Sequence, residues 1–224
     1  MTSKIITIDG PAASGKSSVS RELARILGWK WVSTGAFYRG LAYVALQEGQ
    51  LLPDADAKKL AELAHSDVWE VRLDEDQTRV FYKGDDVTQE ILSEQNGTRA
   101  SLISQIPEVR QALLQNQRNC ARNVTGLVAE GRDCGTVVFP QAMLKLYLTA
   151  SQEERAKRRA TQQGLDLQHT ENEQRKRDHQ DSSRAAAPLA VPEGARVVDS
   201  GGLNLSQVVD MIHGWVVESM AKSF

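Results

Sequence analysis

The stretch "IDGPAASGKSS", residues 8–18, follows the apolar run Ile5–Ile8 and leads into a segment of helical periodicity. Within it Gly10-Pro11-Ala12-Ala13-Ser14-Gly15-Lys16-Ser17 matches GxxxxGK[ST] in full. Glycines permit a backbone that turns several N–H groups inward, toward the oxygens of a bound phosphate. In such a loop Lys16 reaches the β- and γ-phosphates and the Ser17 hydroxyl ligates Mg²⁺. The helix predicted over 16–27 adds the positive end of its dipole. Val19, Leu23, Ile26 and Leu27 form its apolar face, and Gly28 ends it. A glycine- and serine-rich turn with a solvated lysine would match the same pattern. The strand before and the helix after favour the phosphate loop.

Outward from the loop, strands and helices alternate. A short apolar run, Trp29–Val32, leads into "STGAFYRGLAYVAL" (33–46), a turn followed by a helix. Residues 51–65 read as a third helix, and "VRQALLQNQRNCAR" (109–122) as another, with Pro107 in its first turn. "GLVAE" (126–130) and "LKLYLTA" (144–150) are continuous apolar runs of the kind found in central parallel strands. "ARVVDS" (195–200) is a last strand, and "LSQVVDMIHGWVVESM" (205–220) a closing helix. The expected fold is α/β, a parallel five-stranded sheet flanked by helices. Two stretches stand outside the alternation. "WEVRL", "RVFYKG" and "DDVT" suggest a small antiparallel insertion at 66–95, and residues 153–187 are charged, with almost no apolar stripe.

Composition narrows the function classes. The net charge of −2 gives no global pull toward nucleic acid or an anionic membrane, so neither is expected as a partner. No apolar run approaches the roughly 20 residues of a membrane span, and no signal peptide is read. Cys120 and Cys134 form no CxxC pair, so a reducing, cytoplasmic setting is expected, without disulfide or zinc. Nothing in the chain demands more than a monomer.

A phosphate loop does not name a reaction. A GTPase would carry NKxD, which is absent. A translocating ATPase would carry more basic surface. Arginines instead suggest a second bound anion: Arg39, Arg110, Arg132, Arg177 and Arg184. Arg132 ends a predicted parallel strand, where open α/β sheets place ligands. Arg177, Asp181 and Arg184 have the spacing of one helix face, which a solvated, salt-bridged surface would also show. Open at this point are kinases for various small acceptors and a nucleotide-dependent binding switch.

Seven blocks narrow the choice. "ITIDGPAASGKSS", "STGAFYRGLA", "PEVRQALLQNQR", "AEGRDCGTVVFP", "SQEERAKRRA", "RDHQDSSRAAAPL" and "VVDSGGLNLSQVV" resemble, in order, those of the bacterial cytidylate kinases. The resemblance spans essentially the whole chain. It implies a phosphate-loop nucleoside monophosphate kinase fold that moves phosphate from ATP to CMP or dCMP, in pyrimidine nucleotide metabolism. It implies one kinase domain over 1–224, with a core of 1–33, 96–152 and 188–224. The monophosphate-binding region would be 34–95 and a helical lid 153–187. Gly10, Pro11, Ala12, Ala13, Ser14, Gly15, Lys16, Ser17 and Ser18 would hold ATP and Mg²⁺, and Arg155, Arg158 and Arg159 would close over the phosphates from the lid. Thr34, Arg39, Arg132 and Arg184 would contact the acceptor phosphate. Ser101, Arg110 and Asp133 would read the cytosine edge, and Arg177 and Asp181 would meet the sugar. Lys16, Arg132 and Arg184 would carry catalysis by neutralising charge. The chain departs from the family pattern at Ser33, where an aspartate is common, and at Glu130, where aspartate is more usual. His179, Gln180, Ser182 and Ser183 also make the lid less charged than is usual.

Overall fold

A computed structural model of the chain describes residues 4–50, 52–74, 76–164, 166–184 and 186–221, with the backbone alone at 162, 163 and 177. Its central feature is a parallel sheet of β1 (Lys4–Asp9), β2 (Lys30–Ser33), β6 (Gly126–Gly131), β7 (Leu144–Thr149) and β8 (Arg196–Asp199). The strand order is β2-β6-β1-β7-β8, so β1 is hydrogen-bonded on both sides. The chain moves from β1 outward to β2, returns with β6 between them, then passes to the other side with β7. Ligands of open α/β sheets bind at the carboxyl ends of strands beside such a reversal.

Two apolar layers cover the sheet. Ile6 and Ile8 of β1 and Val128 of β6 face α1 (Lys16–Leu27) and α8 (Leu205–Ala221), packing with Val19, Leu23, Val209 and Ile212. Leu127 and Ala129 point the other way, toward α2 (Gly35–Gln47) and α5 (Pro107–Asn119). The alternation is the period of two expected of a strand buried on both faces. Ile26 departs from the expected apolar face of α1: it is 43% exposed. Periodicity identifies a face but not how far its partner surface extends, and Ile26 sits in the last turn.

The small sheet is antiparallel, β3 (Trp69–Leu73), β4 (Thr78–Tyr82) and β5 (Asp85–Asp86), and packs its buried Trp69 and Val80 against α2. The third helix is shorter than expected. α3 (Ala57–Ala64) starts only after Asp56, whose side chain accepts from the N–H groups of Lys58 and Lys59 at 2.8 and 3.4 Å. Pro53 lies before it, and Leu51 is outside the described residues. A helix that the sequence reading left unassigned, α4 (Glu94–Ile103), opens at Ser93, whose hydroxyl accepts from Asn96 N–H.

Residues 153–187 fold largely as α6 (Gln152–Gln163) and α7 (Leu167–Ser183). Their missing apolar stripe has a structural counterpart. The buried contacts between them are polar, with Gln174 Nε2 donating to the Arg155 carbonyl at 3.2 Å and Arg155 paired with Asp178 at 2.7 Å.

Candidate active site

The phosphate loop bridges β1 and α1, and its glycines are dictated by space and backbone. A Cβ at Gly10 would lie 2.0 Å from the Leu148 carbonyl oxygen, and Gly15 has φ +91°. Lys16 Nζ donates to the Pro11 carbonyl at 2.9 Å across the loop. Burial first, then the Arg132 charge, lowers the lysine pKa to about 8, against the pull of Glu130, Asp181 and Asp9. A buried cation so poorly compensated favours an arriving anion. Ser17 Oγ donates to Glu130 Oε1 at 3.0 Å, joining the first turn of α1 to the end of β6.

Two arginines of α6 brace this loop. Arg155 spends its nitrogens on the Ala150 carbonyl (3.2 Å), the Ala12 carbonyl (3.2 Å) and Asp178. Arg158 donates to the hydroxyl and carbonyl of Ser200 at 2.9 and 2.8 Å, and that hydroxyl lies 3.1 Å from the Ser14 carbonyl oxygen.

A cleft of about 300 Å³ runs from the loop across the ends of β2 and β6 to α4. Arg132, from the end of β6, donates to Asp181 of α7 at 2.6 Å. Arg184 lies 3.8 Å from the other Asp181 oxygen. Its Nη2 is buried and has no hydrogen-bond partner among the described residues. Burial, offset only in part by Asp181, lowers the pKa of this guanidinium. At the far end Arg110 pairs with Asp133, donates to the Ser104 carbonyl at 3.1 Å and stands 5.5 Å over the Tyr38 ring. Burial raises the Asp133 pKa, opposed by Arg110, Arg184 and Arg132. The cleft therefore has a cationic middle beside a phosphate loop, and a carboxylate–guanidinium pair at its end. That arrangement suits two phosphorylated groups, one of them carrying a polar planar edge.

A family profile described as cytidylate kinase matches residues 6–218, nearly the whole chain. The chain belongs to the cytidylate kinase family. A cytidylate kinase of Bdellovibrio bacteriovorus is 60% identical over 212 residues, covering 95% of this chain and 97% of the relative. One from Pseudomonas paraeruginosa is 44% identical over 225 residues, with the same two coverages of 95% and 97%. Among solved structures, an uncharacterized protein from Eubacterium ventriosum has a TM-score of 0.53 at 14% identity, over 95% of this chain and 98% of that one. That last likeness is one of fold.

Most residues singled out by the family pattern meet in one place. Ala12, Ala13, Lys16, Ser17, Thr34, Arg39, Ser101, Arg132, Asp133, Arg159, Asp181 and Arg184 all line the cleft. Several are already engaged by the protein. Thr34 Oγ1 donates to the Glu130 carbonyl at 3.0 Å. Arg39 Nη1 donates to the Ile91 carbonyl at 2.9 Å, and Ser101 Oγ to the Gly97 carbonyl at 3.1 Å. Arg155 and Arg158 point at backbone and Ser200 and are not in the cleft lining. Arg177 is in α7, and its side chain lies outside the described residues. Sequence reasoning passed over Tyr38, a neighbour of Arg39 hidden in an apolar helix pattern, and Asp9, read only as the end of a strand. A larger cavity of about 520 Å³, between α3, β3 and α5, shares no residue with the phosphate loop.

Proposed function

We propose that this chain transfers the γ-phosphoryl group of ATP to the 5′-phosphate of CMP or dCMP. Membership of the cytidylate kinase family supports the reaction class and ATP as donor. The observation that carries the residue assignment is the continuity of the cleft, from phosphate loop through Arg132 and Arg184 to Asp133, whose carboxylate is paired with the buried Arg110, itself outside the cleft lining. Gly10 to Ser18 hold the ATP phosphates, with Lys16 on the β- and γ-phosphates. Arg39, Arg132 and Arg184 take the acceptor phosphate, beside Thr34. Asp133 accepts from the exocyclic amino group of cytosine, with Arg110 and Ser101 completing that edge. Asp181 stands at the sugar, and α6 and α7 form a lid whose Arg159 reaches the phosphates.

The acceptor oxygen is already anionic, so the protein needs no general base. Its residues align the two phosphates and neutralise the charge that spreads over the transferred group. Arg184 Nη2, buried and with no hydrogen-bond partner among the described residues, is a donor held ready for that charge. Closure of the lid excludes water, the competing acceptor. The residues also fit Mg²⁺. Among the described residues no group of three or more His, Cys, Asp or Glu forms an all-protein metal site. The Ser17 hydroxyl and the Glu130 carboxylate offer instead the sparse oxygen set of a metal held largely through phosphates. Bound there, Mg²⁺ supplies charge neutralisation at the β- and γ-phosphates.

The test is ADP release measured with CMP, dCMP, UMP, AMP and a shikimate-type alcohol as acceptors. CMP and dCMP are expected to raise the rate far above that without acceptor. Equal stimulation by AMP or the alcohol would overturn the acceptor assignment, and no stimulation by any of them would favour a binding switch.

A further inference from the structure

The turn that follows β6 presents an unusual division of labour between two aspartates. Residues Cys134–Val138 form a single wide helical turn, with Val138 N–H bonded to the Asp133 carbonyl and Phe139 N–H to the Cys134 carbonyl. Such a turn leaves its first N–H groups without partners inside the turn. Asp133 occupies the capping position, where an aspartate side chain would ordinarily accept from them, yet it makes no capping bond. Its carboxylate is paired with Arg110 instead. The cap comes from across the sheet. Asp9, fully buried at the end of β1, accepts from Cys134 N–H at 2.8 Å and Gly135 N–H at 2.7 Å, one on each carboxylate oxygen. The turn has no room to settle elsewhere, since a Cβ at Gly135 would come within 2.9 Å of Thr7 Oγ1 and of Pro192.

We propose that Asp9 is a positioning residue for the acceptor end of the cleft, capping the 134–138 turn so that Asp133 stays with Arg110 and faces the ligand. The inference rests on the reading of Asp133 given above. Asp9 directly precedes the phosphate loop, yet its loss falls on the turn rather than on the loop. β1 is locked by pairing of Asp9 with Gly131 on one side and Tyr147 on the other, whereas the N–H groups of Cys134 and Gly135 have the Asp9 carboxylate as their partner. Without it, Asp133, already at the capping position, offers its own carboxylate as a substitute acceptor. Swinging back to cap its own turn, Asp133 would leave Arg110 and the cleft. Asp9 thus links the first residue of the donor loop to the last side chain of the acceptor pocket through one carboxylate.

The variant Asp9→Asn keeps the shape but turns one acceptor into an N–H₂ group facing an N–H. Hydrogen exchange of the nucleotide-free protein reads the cap directly. Cys134 and Gly135 amides are expected to exchange about tenfold faster or more, with β1 amides little changed. Unaltered protection at 134 and 135 overturns the proposal. In the kinase assay KM for CMP is expected to rise about tenfold while KM for ATP stays within about twofold. Equal increases for the two nucleotides, or a lower melting temperature with both constants unchanged, overturn it too.

A pH series separates positioning from bulk stability. The groups facing Asp9 are Asp133 and Cys134 of the turn, Lys16 of α1 and Tyr147 of β7. Burial, the largest influence, lifts the Asp9 pKa to about 6 against the two backbone hydrogen bonds. Below that pH the wild-type carboxyl is protonated and resembles asparagine. The ratio of variant to wild-type KM for CMP, in which ionisation of CMP itself cancels, should therefore shrink from pH 8 to pH 5. A constant ratio overturns the proposal. If CMP does not stimulate wild-type ADP release, the functional reading fails and the exchange experiment alone decides the role of Asp9. If the variant does not fold, wild-type protection at 134 and 135, corrected for intrinsic exchange, should fall between pH 8 and pH 5, and unchanged protection overturns the proposal.

Discussion

The phosphate loop is a single run of chain, Gly10 to Ser17, whereas the far end of the cleft takes Arg39 from α2, Ser101 from α4, Asp133 from the turn after β6 and Arg184 from the end of α7, with Arg110 of α5 buried behind Asp133 as its partner. The loop works through backbone geometry, and one strand and one helix suffice to hold it. The proposed acceptor end would work through side chains, and each must be held by something else. Arg39 leans on the carbonyls of residues 91 and 93, Arg110 on Ser104 and Tyr38, and Asp133 depends on the cap that Asp9 supplies to its turn. Binding by local backbone is robust to changes elsewhere. Binding by convergent side chains is adjustable, which is where a choice among nucleotides can be made.

The two ends should therefore fail differently. Lys16→Ala removes the cation of the donor loop, and turnover in an ADP-release assay is expected to drop about a thousandfold with KM for CMP little changed. Near-wild-type turnover would break the assignment of the loop. Arg184→Ala should lower kcat/KM for CMP about a hundredfold while the affinity for ATP, measured by calorimetry, stays close to wild type. A matching loss of ATP affinity would place Arg184 at the donor end. Ser17→Ala should raise the Mg²⁺ concentration needed for half-maximal activity about tenfold without affecting CMP binding.

Legibility in the sequence follows the same division. The loop could be read from spacing because its chemistry is local, and the central strands because those buried on both faces are continuous apolar runs. Arg132 was visible at a strand end, and Arg110 only as one of five arginines suggesting a second bound anion. Ser101, Asp133 and the base-reading role of Arg110 came from the family resemblance, since nothing in local pattern brings α4 and α5 to the end of β6. Asp9 escaped both routes. A single acid after Ile8 reads as a strand terminus, and only the register of β1 against β6 and the turn beyond shows what its carboxylate caps. α3 was overextended because an Ala/Leu/Lys/Glu pattern carries no mark of where packing begins, whereas the Asp56 cap and Pro53 do.

The coupling between the two ends has a smaller, thermodynamic signature. Burial raises the folded-state pKa of Asp9 from 3.8 to about 6, so between these values the native protein binds more protons than the unfolded chain. Stability contributed by this group is greatest at low pH and declines as pH rises toward 6. The ionised carboxylate then costs the fold about 3 kcal/mol at neutral pH, net of its two backbone hydrogen bonds, a cost that comes with capping the turn from a buried position. Asp9→Asn should flatten the pH dependence of the melting temperature between about pH 4 and pH 6. An unchanged slope would mean that Asp9 is not the buried acid linking the two ends.

The central claim is that recognition of the two nucleotides is divided along one cleft, and Asp133 tests it most directly. Removing its carboxylate leaves Arg110 buried without its partner, at about 3–5 kcal/mol of stability. The titrations with CMP and with a non-hydrolysable ATP analogue are therefore made on the same folded sample of Asp133→Ala. CMP affinity is expected to fall tenfold or more while the analogue binds within about threefold of wild type. Equal loss of both would contradict the account and move Asp133 from the base pocket to the phosphate end.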